Sequence, residues 1–185
     1  MENLELRMYG LVPYNLSPIQ QSIQFGHAVV QYGQAVKKPI TIPPMRTNAL
    51  ETYNDWADNW QTFIVLNGGT TNLSDEKPGT MNVHLKTLQS QGIDCAAFYE
   101  PDLGDQLTAI VFIVDERVFN KEKYPDFDFT NKNQKTPGYG MWSNDPLNPQ
   151  FLNESEAQRW QEWVQSIGGE TNLWLRFWLK NFRLA

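Results

Sequence analysis

Residues 17–32, SPIQQSIQFGHAVVQY, decide the fold. Ser17 is a good helix N-cap, Pro18 suits the first helical position, and Gln20, three residues after the cap, completes a capping box. Ile19, Ile23, Gly26, His27 and Val30 recur at the spacing of one helical face. The spacing predicts a helix over about 18–36, packed through that face, with Gly26 and Gly33 permitting close approach. Immediately upstream, LRMYGLV at 6–12 reads as a strand that Pro13 stops. A strand running straight into an amphipathic helix is the start of an α/β fold.

Downstream the same alternation continues. Residues 37–47 form a loop with three prolines and the basic side chains Lys37, Lys38 and Arg46. Asn48 caps a second helix to about Trp60, with Leu50, Tyr53, Trp56 and Trp60 three to four apart. TFIVL at 62–66 is a buried strand by composition, ended by Asn67-Gly68-Gly69, and 70–77 is a polar loop. A third helix over about 80–91 turns Met81, Leu85 and Leu88 inward and has Gly92 at its end. Two strands, 93–99 and 107–114, flank a short acidic loop, EPDLGDQ. The order βααβαββ implies a three-layer α/β/α arrangement around a four-stranded mixed sheet.

Residues 119–150 have no clean period. They read as a long ordered loop or lid, because Tyr124, Phe127, Phe129, Tyr139 and Trp142 need burial. Two helices follow, 154–167 with Asn153 as cap and Gly168-Gly169 as stop, then 170–183. Trp160, Trp163, Val164, Ile167, Leu173, Phe177, Trp178 and Phe182 give them apolar stripes, for core packing or for a dimer face. The expected organisation is an α/β core over 1–118 and a packed helical extension over 119–185, one domain overall.

The composition, 41% hydrophobic and 13% aromatic over 185 residues, is that of a folded chain. The single cysteine, Cys95, excludes an intrachain disulfide and reads as a small buried thiol, which fits a reducing, cytoplasmic setting. No run of about 18 apolar residues suggests a membrane span, and the first residues do not read as a secretory signal. Net charge is −6. Residues 1–90 hold 6 basic and 7 acidic side chains, 91–120 hold 1 and 6, and 121–185 hold 8 and 8. The acidic excess in 91–120 argues against avid binding of a nucleic-acid backbone there. It leaves room for a basic patch elsewhere.

The first helix resembles that of type 2 peptidyl-tRNA hydrolases, whose pattern is Lys, Gln four residues later, His three beyond and then Ala. Gln24, His27 and Ala28 match in register. Gly92-Ile93-Asp94-Cys95 running into AAFYEPDLGDQLTAIVFI matches that family's later strand, loop and strand. The likeness covers about residues 5–116, and versions reading "NLSPIQ…QFGHA" are similar to phage-encoded members. The family cleaves the ester between a peptide and the 3′ ribose of tRNA. The resemblance therefore implies a pocket beside the first helix, with His27, Glu100 and Thr108 as catalytic candidates. This chain departs from the pattern at several positions. Gln20 stands where the family has Lys, Glu100 where it has Asp, and Gln106 where the strand motif has its first Thr. An amide cannot supply the charge of a Lys to a developing oxyanion, and one extra methylene displaces a carboxylate by about 1 Å.

Other residues carry two readings each. His27 is either a satisfied, partly buried histidine or a pocket residue, and His84 reads as a surface position. Glu100, Asp102 and Asp105 suit either a solvated turn or Mg²⁺ and Ca²⁺; no metal and no cofactor are expected. Asn67 and Gly68 hint at a phosphate-cradling turn, but no Lys-Ser/Thr follows, so a P-loop is excluded and a plain turn is the simpler reading. Gln20, Gln24, Lys37 and Lys38 complete the candidate ligand-binding set. The favoured expectation is a binding protein that holds a nucleotide-like molecule without hydrolysis; in a viral protein this would serve to sequester a host nucleotide signal. The alternatives are a hydrolase acting on the 3′ end of peptidyl-tRNA, with an altered catalytic set, and a protein–protein interaction module using the acidic 91–120 edge. A homodimer is suggested by analogy alone.

Overall fold

A computed structural model of the chain describes residues 3–38, 48–71, 73–74, 77–128 and 153–185. It contains two compact units, Met1–Asp115 with Phe182–Ala185, and Glu116–Asn181. Arg46, Phe129, Tyr139, Trp142 and most of the expected lid lie outside the described residues.

In the first unit β1 (Leu6–Pro13) leads into α1 (Pro18–Lys37). The α1 start is as expected: Ser17 and Gln20 form a reciprocal capping box, and Pro18 opens the helix. Then come α2 (Ala49–Asp55), a π turn (Trp56–Trp60), β2 (Thr62–Gly69), a hairpin of β3 (Leu73–Ser74) and β4 (Lys77–Pro78), α3 (Thr80–Ser90), β5 (Cys95–Glu100) and β6 (Gln106–Asp115). The sheet order is β2-β1-β6-β5, with β1 parallel to β2 and both β1–β6 and β6–β5 antiparallel. This is an α/β fold on a four-stranded mixed sheet.

Alternation along β1 assigns the layers. Met8 and Val12 join Phe25, Ala28, Tyr32 and Val36 of α1 and Trp56 in one core cluster. On the other face, Leu11 and Gly68 meet Met81 of α3. Gly10 lies directly under the Phe25 ring, where any Cβ would collide with it. Burial of an aromatic of this size contributes about 1.5–3 kcal/mol.

Several expectations are corrected. The α1 face read as its packing face is open: Ile19, Ile23 and Val30 are 74%, 51% and 59% exposed. The sheet instead receives Gln24, Phe25, Ala28, Tyr32, Gly33 and Val36, nearly half-way round the helix. Both stripes have helical period, but only the second offers two large rings, of which Phe25 is seated on Gly10, and a glycine that receives a ring from the next helix. Accordingly Gly33 sits against the Tyr53 ring, whereas nothing approaches Gly26. Asn48 makes no side-chain cap bond, Leu50 is exposed, and the second helix widens into the π turn before Gln61 ends it at φ 51°. The strand at 62–66 is not buried throughout, since Phe63 is exposed. His84 is half-buried rather than at the surface, edge-on to Phe182, and burial pushes its pKa down.

The final helix is also shorter than its stripe suggests. It ends at Trp178, a 3-10 turn follows over Leu179–Asn181, and the chain then extends. Asn67 N–H donates to Arg183 O and Ala185 N–H to Val65 O, so the tail pairs with the outer edge of β2. An open strand edge is thereby covered.

The second unit comprises α4 (Glu116–Phe119), α5 (Glu154–Ser166) and α6 (Glu170–Trp178) with the chain around Tyr124. Trp160, Val164, Ile167 and Leu173 form its core, with Tyr124, Phe127, Trp163 and Phe177 against it. Most of the expected stripe is core, as the simpler reading has it, but Trp178 stacks on Trp174 outside this cluster and Phe182 belongs to the first unit. Among the described residues no helix is long and apolar enough to cross a membrane.

Candidate functional site

Three candidates meet where α1 crosses the β5–β6 pair. Thr108 Oγ1 donates to Gln24 Oε1 at 3.0 Å, and Gln24 Nε2 donates to Glu100 Oε2 at 2.5 Å. The other Glu100 oxygen accepts from the backbone N–H of Asp102 at 3.4 Å, so Glu100 also caps the 3-10 turn Pro101–Leu103. Gln24 and Thr108 are buried, and Glu100 is half-buried.

A break in the strand register makes this contact. Phe98 pairs with Ala109 and Tyr99 with Leu107, leaving Thr108 as an extra residue in β6. A bulge of this kind re-aims a side chain. Strict alternation would turn Thr108 away from Ala109 and its helix-side cluster; the bulge brings it to Gln24. Ala96, Phe98 and Glu100 alternate onto the same face of β5.

His27, one helical turn beyond Gln24, is exposed and lies flat on Phe98, with ring centroids 4.6 Å apart and planes at 16°. Among the described residues it has no hydrogen bond to Glu100. Phe98 was not anticipated as a site residue, although its place two residues before Glu100 on a strand was the available signal.

The remaining candidates lie elsewhere. The Gln20 side chain is engaged in the capping box, its Oε1 accepting from Ser17 N–H and Oγ. Lys37 and Lys38 are at the far end of α1, about 20 Å along the axis from Gln24, and Lys37 sits over the Tyr53 ring. Asn67 and Gly68 are at the same end of the sheet but on β2, three strands from β5. Their turn is internally satisfied: Gly69 N–H donates to Asn67 Oδ1 at 2.8 Å, and Thr70 N–H to Thr80 Oγ1 at 2.7 Å. Those amides are not turned toward a phosphate.

Asp102 and Asp105 are exposed, and among the described residues no group of three metal-ligating side chains forms. The acidic excess of 91–120 is divided between the two ends of the sheet, with Asp94 and Asp115 at one and Glu100, Asp102 and Asp105 at the other. Cys95 is half-buried, and desolvation, with the Asp94 charge, pushes its thiol up to about 11, which makes it a poor nucleophile.

No protein-family model matches the chain, and no curated protein matches it.

Proposed function

We propose that the first unit is a binding protein on a type 2 peptidyl-tRNA hydrolase-like scaffold, which holds a nucleotide-like ligand beside α1 without cleaving it. Apart from the β3–β4 hairpin, the βααβαββ order and the mixed sheet are consistent with that scaffold. One observation carries the reading away from hydrolysis. Gln20, in the position of the family's Lys, closes a capping box, and among the described residues no cation joins the Thr108–Gln24–Glu100 hydrogen bonds. Ester cleavage needs a base for water and a positive or donor group for the oxyanion. Here the carboxylate is engaged by an amide and a backbone N–H, and the imidazole is stacked on Phe98 rather than paired with the carboxylate.

The hydrolase reading draws on the same convergence of Gln24, Thr108 and Glu100, so a single assay separates the two. Release of an N-blocked amino acid from aminoacyl-tRNA is compared for the native chain and His27→Ala, alongside calorimetric titration with nucleotides. The expected outcome is heat of binding and no release above background. Release that disappears in His27→Ala would establish the hydrolase instead.

A further inference from the structure

We infer that this site takes the uncharged, hydrogen-bonding end of its ligand, a nucleoside with its planar base, and holds phosphate away from the turn at residues 100–105. The inference rests on the binding reading above and specifies which part of the ligand enters.

The first ground is charge. Glu100, Asp102 and Asp105 fall within six residues at one end of the sheet, and the two aspartates are exposed. Among the described residues no Lys or Arg takes part in the hydrogen bonds or ring contacts of Gln24, Glu100, Thr108, His27 or Phe98. The basic residues of α1, Lys37 and Lys38, are about 20 Å from Gln24 along the axis. Among the described residues, a phosphate brought to the turn therefore meets like charge with no cation hydrogen-bonded at the site to offset it.

The second ground is the shape and bonding capacity of what remains. The His27 and Phe98 rings are stacked and nearly parallel, and His27 is exposed, which offers an aromatic platform for a further ring. Base-on-aromatic stacking tolerates many bases, because every base has a π-face. Each carboxylate oxygen of Glu100 accepts one bond from the protein and keeps a lone pair for a ligand donor. Exocyclic amino groups, ring N–H groups and ribose hydroxyls are such donors; a phosphate ester carries none when ionised.

Calorimetric titration of the full chain with adenosine, AMP and ATP tests this. Adenosine is expected to bind at least as tightly as AMP, and affinity to fall about threefold for each added charge near the turn. The differences should narrow at about 0.5 M salt, where exposed charges are screened. Asp102→Asn with Asp105→Asn should raise the affinity for ATP relative to adenosine; Asp105 already has φ 57°, a conformation asparagine tolerates. Glu100→Gln should weaken adenosine about tenfold by replacing a charged acceptor with a neutral one. Affinity rising from adenosine to ATP would overturn the inference while leaving nucleotide binding intact, as would adenosine affinity unchanged by Glu100→Gln. Absence of heat with all three ligands would overturn the binding reading itself.

Discussion

Two carboxylates, one in each unit, are held in opposite ways. In the second unit Asp126 is surrounded by cations: Lys121 Nζ lies 2.6 and 2.7 Å from its two oxygens, Arg176 donates to Oδ1 at 2.8 Å, and Lys180 is 3.6 Å from Oδ2. Among the described residues, Glu100 in the first unit has only an amide and a backbone N–H. Three cations on one carboxylate satisfy it and fix the chain around it. An amide orients a carboxylate but leaves its charge and lone pairs available. The first arrangement stabilises structure, and the second is the one on which the proposed ligand site rests.

Removing the central cation should have the largest effect. The side chain of Arg176 is 1% exposed; beyond Asp126 it bonds the carbonyls of Arg117 and Tyr124, and it lies over the Trp163 ring. Arg176→Ala leaves two carbonyls without their donor and a void beside Trp163. The expected loss is about 3 kcal/mol or more. It would be measured by urea unfolding followed through tryptophan fluorescence. A loss under about 1 kcal/mol would mean that Asp126 is held by its exposed lysines and that the contrast is one of surface charge alone.

Gln24→Ala tests the other side. Among the described residues it leaves the Thr108 hydroxyl with only the Phe98 carbonyl at 3.4 Å, and it takes from Glu100 its amide donor. One buried polar group left poorly paired costs about 1–3 kcal/mol. The effect should thus be smaller than for Arg176→Ala but measurable as a lowered Tm. An unchanged Tm would show that the amide does not hold Glu100 in place.

The scaffold of the site was more legible than its contents. Local rules carried the elements: Ser17, Pro18 and Gln20 set the start of α1, and Met81, Leu85 and Leu88 the inner face of α3, with Gly92 closing it at φ 64°. The packing face of α1 was not legible, because two stripes share the helical period and the buried one includes a glutamine that apolar counting rejects. Likewise the bulge at Thr108 is a relation between two strands and leaves no mark in either alone. Pairing of residues 183–185 with β2 joins residues more than a hundred apart, while the local pattern there simply continues a helical stripe. Gln24, Glu100 and Thr108 could be named from a resemblance, but their hydrogen bonds follow from that hidden register.

Acid titration gives the smallest and most selective contrast. Burial works upward on the Asp126 carboxyl, but hydrogen bonds from Lys121 and Arg176 and the charges of Lys121 and Lys180 outweigh it and hold the group down at about 2. An unfolded aspartate titrates near about 3.9. A depressed folded pKa contributes stability that is fully present above the unfolded value and is lost as pH falls through the folded one. The Asp126 contribution should therefore fade between about pH 4 and pH 2. Because the carboxyl is half-exposed, the effect should be modest and should shrink further in salt. Asp126→Asn should flatten the dependence in that window while lowering stability at neutral pH. An acid profile that Asp126→Asn leaves unchanged would mean the three cations do not act on this carboxylate as a unit, and the opposition between the two sites would fail on its structural side.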